Sequence, residues 1–334
     1  MTWGNQNTEE EAHEQLNYAW ECGVNFLDTA EMYPVPPSQE TQGKTDLYIG
    51  SWLKQQRRED VILATKVSGY GRQSYLREDG ELPRVNEKNI VESVDKSLQR
   101  LGTDYVDLLQ IHWPDRYVPL FGAGVYDVKN EREGDIPFEE QLKALEKVIK
   151  QGKVRYVGVS NETSYGLMRF CQAAESFGLP KIVSIQNSYS LLVRGPFETD
   201  LAEVCAPRQN NVSLLAYSPL AGGSLTGKYI TGDESTLSKS RFNLFANYMQ
   251  RYQQSLAREA VAAYVDVART HGLTPTQLAL AWCKSRWFVT CSIIGATTME
   301  QLLENIDAFD VELTEECITD IAGVYKRYRD PAFN

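Results

Sequence analysis

The sequence has little of what metal centres, disulfide frameworks, membrane spans and nucleic-acid surfaces require. It has three histidines, and its six cysteines form no CxxC pair, which favours free thiols in a reducing compartment and argues against a metal site. No apolar run reaches the ~18 residues that a membrane-spanning helix needs. Lys and Arg number 34 against 45 Asp and Glu, and the net charge of −11 argues against a broad nucleic-acid surface.

Two common phosphate-binding fingerprints are also missing. Gly122-Ala123-Gly124 is not followed by the third glycine of a dinucleotide-binding motif. Gly43-Lys44-Thr45 lacks the upstream glycine of a P-loop. A dinucleotide, if one binds, must therefore be held by other elements.

What the sequence does have is a regular alternation of helix and strand patterns. The 334 residues are 42% hydrophobic, which is enough for a sizeable core. A helix begins at the capping box of Thr8 and Glu11. Strand patterns then occur at 24–28, 61–67, 104–112, 154–160, 182–186, 212–217 and 289–294. Seven strands, with a stub at residues 1–3, predict an α/β fold in which residues 1–334 form a single (β/α)8 TIM barrel.

Polar side chains end most of these strands. Active sites of (β/α)8 barrels lie at the C-terminal ends of the strands. That rule selects Asp28, Lys66, His112, Ser160, Asn161, Gln186 and Tyr217.

Four residues at neighbouring strand ends suggest proton transfer to a carbonyl oxygen. Lys66 interrupts an apolar strand and needs a partner, for which Asp28 is suited. Tyr33, beside this cation, is expected to have a lowered pKa and to act as a general acid, while His112 donates a hydrogen bond to the carbonyl. Structural alternatives remain for each: Lys66 reaches the rim, Asp28 caps a helix, Tyr33 packs, and His112 is a satisfied core residue.

Such a reaction also needs a hydride donor, which no side chain supplies. The loop Ser218–Lys228 is rich in small residues and ends in a lysine, which suits close approach to a pyrophosphate. The segment 295–298 follows a strand and opens a helix, whose amides favour a phosphate. Tyr217 either stacks on a flat ring or packs in the core.

Several separated segments, in this order, resemble signatures of the aldo-keto reductases. They are GVNFLDTAEMY, the strand with Lys66, LGTDYVDLLQIHWP, KVRYVGVSN, IQNSYSLL, LLAYSPLAGGSLTGKY and GATTMEQLLENI. The resemblance covers nearly the whole chain and is to the bacterial Tas-like branch, with the potassium-channel β-subunits also similar.

The resemblance implies roles for individual residues. It implies a catalytic tetrad of Asp28, Tyr33, Lys66 and His112, with Tyr33 as the proton donor. The implied cofactor-binding residues are Ser160, Asn161 and Gln186 on the nicotinamide carboxamide, Tyr217 on the ring, Ser218, Pro219, Leu220, Gly222, Leu225 and Lys228 along the pyrophosphate, Gly295, Thr297, Gln301, Glu304 and Asn305 around the adenosine, and Arg241 as a further phosphate ligand. Thr297 and Gln301 stand where relatives meet the 2′-phosphate, which favours NADP (NADPH) over NAD, although many relatives have Arg in place of Gln301.

The sequence departs from the family pattern at its start. Members begin with a β-hairpin and a full first strand, and here the hairpin and most of that strand are missing upstream of Met1-Thr2-Trp3-Gly4. We therefore expect a truncated or processed form. The expected location is the cytoplasm, or the plastid stroma if a missing upstream segment is a transit peptide.

The expected function is NADP(H)-dependent reduction of an aldehyde or ketone to an alcohol. The expected partner is a small-molecule carbonyl substrate, with no nucleic acid and no membrane, and the oligomeric state is left open. The candidate substrate pocket comprises Trp113, the loop 114–136, Tyr189 and the tail near Tyr325 and Tyr328. One alternative is an NADP-binding, redox-sensing regulatory subunit with slow turnover; a weaker one is a metal hydrolase using His112 and Asp115.

Overall fold

A sheet of seven parallel strands runs through the centre of the computed structural model, which describes residues 1–245 and 248–332. The strands are β1 (Phe26–Asp28), β2 (Ile62–Val67), β3 (Val106–Ile111), β4 (Val154–Ser160), β5 (Ile182–Ser188), β6 (Ser213–Tyr217) and β7 (Val289–Ile293). Each strand pairs with the next along the chain, and helices lie between them. This confirms the α/β class and the (β/α)8 barrel type.

The helices cover the outside of the sheet. The longer ones are α1 (Glu9–Glu21), α2 (Lys44–Leu53), α3 (Glu87–Leu101), α4 (Phe138–Lys150), α5 (Ser164–Phe177), α10 (Ser255–Thr270), α11 (Pro275–Lys284), α12 (Met299–Asp307) and α13 (Glu315–Arg327). The short ones are α6 (Ala202–Cys205), α7 (Lys228–Thr231), α8 (Glu234–Ser238) and α9 (Arg241–Leu244). The segment after β6, which the sequence shows as polar and loop-like, therefore contains α7 to α9.

Local sequence explains where the helices begin and end. The Thr8 side chain accepts from the Glu11 amide and the Glu11 side chain accepts from the Thr8 amide, so the predicted capping box is confirmed. Thr274 forms a second box, followed by Pro275 at the first helical position. Gly102 ends α3 in the left-handed conformation, with φ of 64°.

Inward-facing residues of the barrel form two layers. Because side chains alternate along a strand, residues two apart share a face. Ala64, Leu108 and Leu215 form a buried apolar cluster inside the barrel. Two residues further along their strands stand Lys66, Gln110 and Tyr217, and the ladder pairs Lys66 with Gln110. An apolar layer thus supports a polar layer at the C-terminal ends of the strands.

The segment 2–7 lies across the seam between β7 and β1. Thr2 Oγ1 donates to the Ala296 carbonyl at 3.4 Å, and the Thr45 hydroxyl donates to the Trp3 carbonyl at 2.8 Å. Asn7 Nδ2 donates to the Thr297 carbonyl at 2.9 Å. The expected strand stub at residues 1–3 is wrong: these residues form no strand, and Trp3 makes a single bridge with Asn7 across the turn at residues 4–6.

Gly69 allows two strand ends to come together at the site. A Cβ on Gly69 would stand 1.9 Å from the Trp113 carbonyl oxygen and 2.8 Å from that of Pro114. These neighbours are backbone atoms after β3, so they cannot move aside as a flexible side chain can. The chain after β2 therefore requires glycine here.

We expect Gly69→Ala to lower the free energy of unfolding by about 1–3 kcal/mol or more, because the methyl group forces the two strand ends apart. Urea denaturation followed by circular dichroism measures this. The matched control is Gly323→Ala, at an exposed position within α13 with no atom within 4 Å of the new Cβ. It should raise stability by about 0.5–1 kcal/mol, because alanine is the better helix former. Wild-type stability of Gly69→Ala would contradict the close approach.

Candidate active site

A buried ion pair joins β1 to β2 at the bottom of the site. Lys66 is fully buried, and its Nζ donates to Asp28 Oδ2 at 2.5 Å and to the Thr29 carbonyl at 2.8 Å. Burial lowers the pKa of Lys66, and the Asp28 carboxylate opposes that effect. The expected pairing is confirmed, and the alternative in which Lys66 reaches the rim is wrong.

The second oxygen of Asp28 accepts hydrogen bonds from side chains of two further strands. Gln110 Nε2 donates to Asp28 Oδ1 at 3.1 Å, and Gln186 Nε2 donates to the same oxygen at 2.9 Å. Gln186 Nε2 also lies 3.2 Å from Gln110 Oε1. Asp28 therefore does not act as a helix cap. Sequence reasoning missed Gln110, although its place two residues after the inward-facing Leu108 is a signal for it.

Tyr33 and His112 face each other above the ion pair. Their ring centroids are 5.7 Å apart in an edge-to-face arrangement. Lys66 Nζ lies 5.0 Å from the centroid of the Tyr33 ring. Burial and the Asp28 carboxylate raise the pKa of Tyr33 above its ordinary value. The expected lowering of this pKa is wrong, because desolvation of the phenol and the charge of Asp28 outweigh the opposing charge of Arg241.

His112 is neutral, and one of its ring nitrogens has no hydrogen-bond partner among the described residues. Burial and the charge of Lys66 lower its pKa well below the usual 6.5. Its amide donates to the Val67 carbonyl at 2.8 Å, which fixes the end of β3 to β2. Its Nδ1 is buried and has no hydrogen-bond partner among the residues described. The interpretation of His112 as a satisfied core histidine is therefore wrong.

A second buried pair holds the loop that carries Tyr33. Glu31 Oε1 accepts from the Ser68 amide at 2.7 Å and from Arg77 Nη2 at 2.9 Å, and its Oε2 accepts from Arg77 Nη1 at 2.7 Å. Burial alone would raise the pKa of Glu31, but Arg77 lowers it overall. The bidentate pair fastens the Tyr33 loop to the end of β2. Glu31 lay within the signature around Tyr33, but nothing in the sequence indicated Arg77.

A cavity of about 1450 Å³ extends from Tyr33 and His112 toward α12. Most of the residues predicted to bind a cofactor line it. They are Ser160, Asn161, Gln186, Tyr217, Ser218, Pro219, Leu220, Gly222, Lys228, Arg241, Gly295, Thr297, Gln301, Glu304 and Asn305.

Beside the tetrad, Asn161 links three strand ends. It is left-handed, with φ of 52°. Its Oδ1 accepts from the Tyr217 hydroxyl at 2.6 Å, and its Nδ2 donates to the His112 carbonyl at 2.8 Å. Ser160 Oγ donates to the Gln186 carbonyl at 2.7 Å. These bonds hold the Tyr217 ring and the Asn161 side chain in fixed positions on the cavity wall.

Farther along, the cavity is lined by glycine backbone and by two cationic side chains, Lys228 and Arg241. Gly222 and Gly223 have φ of 66° and 96°, and a Cβ on Gly223 would lie 3.0 Å from Lys228 Nζ. Burial, and then the charge of Arg241, lower the pKa of Lys228. Among residues 1–245 and 248–332, no carboxylate lies within 4 Å of either cation. Two cations without a carboxylate partner, on a cavity wall that also contains glycine backbone, suit a diphosphate, so the residues present fit a dinucleotide.

The far end of the cavity is polar, and its side chains are held by hydrogen bonds within the protein. The amide and hydroxyl of Thr297 both donate to Gln301 Oε1 at 3.1 Å. Glu304 Oε1 accepts from the Thr274 hydroxyl at 2.8 Å, and Asn305 Nδ2 donates to the Gly295 carbonyl at 3.4 Å. These residues lie at the start of α12 and in the loop before it.

Some predicted pocket residues lie elsewhere. Tyr189 is fully buried in the core, where its ring stacks on Trp282 at 5.2 Å and its hydroxyl donates to Glu198 at 2.6 Å. Leu225 is a core residue and does not line the cavity, and neither do Tyr325 and Tyr328. Trp113 does line it, with its ring 4.7 Å from that of His112.

Asp115 has a structural role that competes with metal binding. Its carboxylate accepts from Arg84 Nη2 at 2.7 Å and from the Val85 and Ile136 amides at 2.9 and 3.1 Å. Across the described ranges there is no group of three or more His, Cys, Asp or Glu side chains placed to hold a metal ion. Within the same residues, none of the helices has both the length and the apolar character to cross a bilayer.

Comparison with known proteins decides the family. The model of the aldo/keto reductase family matches residues 1–326. The chain belongs to the aldo/keto reductase family. It is 47% identical over 335 residues to Protein tas of Escherichia coli K12, covering 99% of this chain and 94% of that protein. It is 40% identical over 281 residues to an aldo-keto reductase of Babesia bovis, covering 81% of this chain and 98% of that protein.

A further relative broadens the family context. The chain is 33% identical over 314 residues to a "Probable voltage-gated potassium channel subunit beta" of Arabidopsis thaliana, covering 93% of this chain and 85% of that protein. The family match and the 47% identity to Protein tas confirm the resemblance to the Tas-like branch. Membership of the family shows that the chain is an oxidoreductase. The family depends on nicotinamide cofactors.

We expect Asp28→Asn to lower the free energy of unfolding by about 3–5 kcal/mol, because it leaves the buried Lys66 without its counter-charge. Urea denaturation at neutral pH measures the loss. The control is a double-mutant cycle with Lys66→Met, since Asp28→Asn should cost much less once the ammonium group has been removed. Additive losses in the two single variants would contradict the pairing.

The lowered pKa of His112 predicts a pH-dependent stability. Because the folded protein keeps this imidazole neutral while the unfolded chain takes up a proton below about pH 6.5, stability falls as the pH drops. From pH 7.5 to 5.5 the wild type should lose up to about 1.4 kcal/mol more than His112→Asn. Denaturation curves at the two pH values give both differences, and equal losses in the two proteins would show that His112 titrates normally.

Proposed function

We propose that the chain is an NADP(H)-dependent oxidoreductase that reduces an aldehyde or a ketone to an alcohol. The observation that carries the proposal is the arrangement around the buried Asp28–Lys66 pair. Tyr33 and the neutral His112 stand above it, at one end of a cavity that holds two uncompensated cations farther along. The reaction adds a hydride to the carbonyl carbon and a proton to its oxygen.

In this proposal Tyr33 gives the proton. Its raised pKa keeps the phenol protonated at neutral pH, so the proton is available when the carbonyl oxygen gains negative charge. Lys66, 5.0 Å from the ring centroid, stabilises the phenolate that forms. His112, neutral and in contact with the Tyr33 ring, donates a hydrogen bond that orients and polarises the carbonyl. Trp113, buried beside His112, lines this end of the cavity.

The cofactor-binding roles rest on the same cavity. A bound nicotinamide dinucleotide supplies the hydride. Ser160, Asn161 and Gln186 would hold the carboxamide, and Tyr217 would stack on the ring. The remaining lining residues would hold the rest of the molecule: Gly222, Lys228 and Arg241 the diphosphate, and Gly295, Thr297, Gln301, Glu304 and Asn305 the adenosine and the 2′-phosphate of NADP. Thr297 and Gln301, which stand where relatives meet the 2′-phosphate, support the choice of NADP over NAD.

A second candidate is a redox-sensing subunit that binds NADP and turns over slowly. The similarity to a protein named as a potassium channel β-subunit favours it. Both candidates use the same cavity and the same tetrad, so the rate of turnover distinguishes them. We also propose that residues 1–334 form one domain that works in the cytoplasm, in keeping with the six free thiols.

We expect purified protein to oxidise NADPH when 4-nitrobenzaldehyde is added, and Tyr33→Phe to lower kcat by about 10²–10⁴-fold, because the general acid is lost. The loss of NADPH absorbance measures turnover. NADPH binding, followed by protein fluorescence, should be retained. The matched control is Tyr156→Phe, which alters an exposed tyrosine away from the cavity. A Tyr33→Phe variant with the wild-type rate would exclude this tyrosine as the proton donor, and binding without turnover in the wild type would favour the redox sensor.

A further inference from the structure

Arg251 faces the cavity with neutral partners only. It lies in the turn Gln250–Tyr252 before α10 and lines the same cavity as Tyr33 and His112. Its Nη2 donates to the Tyr252 hydroxyl at 3.0 Å, and its Nε is buried with no hydrogen-bond partner. In the part of the chain that the structure describes, no carboxylate lies within 4 Å of its guanidinium. A mostly buried guanidinium without a counter-charge is costly unless a ligand supplies one.

The side chain of Arg251 is held in place on both sides. A Cβ on Gly122 would lie 3.0 Å from Arg251 Cδ and 3.2 Å from its Cβ, so the loop 114–136 covers the aliphatic stem. On the other side the guanidinium carbon lies 4.8 Å from the centroid of the Tyr252 ring, which is itself buried. The charged group is therefore fixed at the cavity wall, and its unpaired Nε edge is kept from bulk water.

The position of Arg251 assigns it to the substrate end of the cavity. The Tyr252 hydroxyl that accepts from Arg251 lies 3.4 Å from Ser188 Oγ, and Ser188 is the ladder partner of Tyr217. The guanidinium therefore lies at the strand ends that carry the ring proposed to stack on nicotinamide. Lys228, by contrast, stands beside Gly223 in the glycine segment proposed to hold the diphosphate. Arg72 also lines the cavity, but its side chain is exposed at the rim.

We propose that the carbonyl substrate carries a carboxylate and that Arg251 binds this group, so that the physiological substrates are aldehyde or keto acids. The proposal rests on the proposed reductase function. A guanidinium whose Nε has no hydrogen-bond partner among the described residues still has a donor for a carboxylate oxygen. The apolar rings of Trp113 and Phe121, which meet edge to face at 6.4 Å, line the space for the rest of the substrate.

The test compares 4-carboxybenzaldehyde with 4-nitrobenzaldehyde, which differ in charge and share the same ring. We expect the wild-type ratio of kcat/KM to favour the carboxylate, and Arg251→Gln to lower that ratio about 10- to 100-fold. Arg251→Lys should keep part of it, because the charge remains. Arg72→Gln, the matched control at the rim of the same cavity, should leave the ratio at its wild-type value. An unchanged ratio in Arg251→Gln, or a loss only in Arg72→Gln, overturns the proposal.

A binding measurement separates this proposal from the reductase function. Benzoate and benzamide, added to the protein with NADP present, are titrated by the fluorescence of its tryptophans. The wild type should bind benzoate at least about tenfold more tightly than benzamide, and Arg251→Gln should lose this preference while keeping its circular dichroism spectrum. If neither aldehyde is reduced but the preference for benzoate is found, the reductase function fails and the carboxylate site stands. If aldehydes are reduced and the two ligands bind equally, the carboxylate site fails alone.

Discussion

The contact between Lys66 and Asp28 is the constraint on which the rest of the site depends. A fully buried ammonium group is tolerated only with a counter-charge and hydrogen bonds, and here Asp28 Oδ2 and the Thr29 carbonyl supply them. The other oxygen of Asp28 binds Gln110 and Gln186, so one carboxylate connects β1, β2, β3 and β5. The interactions that neutralise the lysine are thus also those that hold the strand ends together around the cavity.

Charge is distributed unevenly along the cavity. At the tetrad end Lys66 is neutralised by Asp28, while Tyr33 and His112 are neutral. Lys228, Arg241 and Arg251 also line the cavity, and they carry positive charge without a carboxylate within 4 Å among the described residues. The protein as a whole has a net charge of −11. A positive cavity in an acidic protein selects anions locally while the outer surface repels them, which favours small anionic ligands over large polyanions.

The sequence allowed the strands, the capping box and the four tetrad positions to be predicted, because each depends on local pattern or on the rule that barrel sites lie at strand ends. It did not allow Arg77, Gln110 or Arg251 to be found, since their roles depend on which side chains meet across the barrel. Tyr189 was misassigned for a related reason: one residue past β5, its side chain turns into the core. The pKa of Tyr33 was predicted in the wrong direction because desolvation and charge compete, and only the geometry decides between them.

The two loops nearest the tetrad are each fixed by a buried carboxylate and an arginine. Glu31 and Arg77 hold the loop with Tyr33, and Asp115 and Arg84 hold the start of the loop 114–136. The segment after β6 contains only the short helices α7 to α9, and it carries Lys228 and Arg241. The side chains proposed to transfer the proton therefore stand on a preformed framework. The cations proposed to meet the ligand stand on the segment with the shortest helices, so the charge of the cavity and the framework around Tyr33 belong to different parts of the barrel.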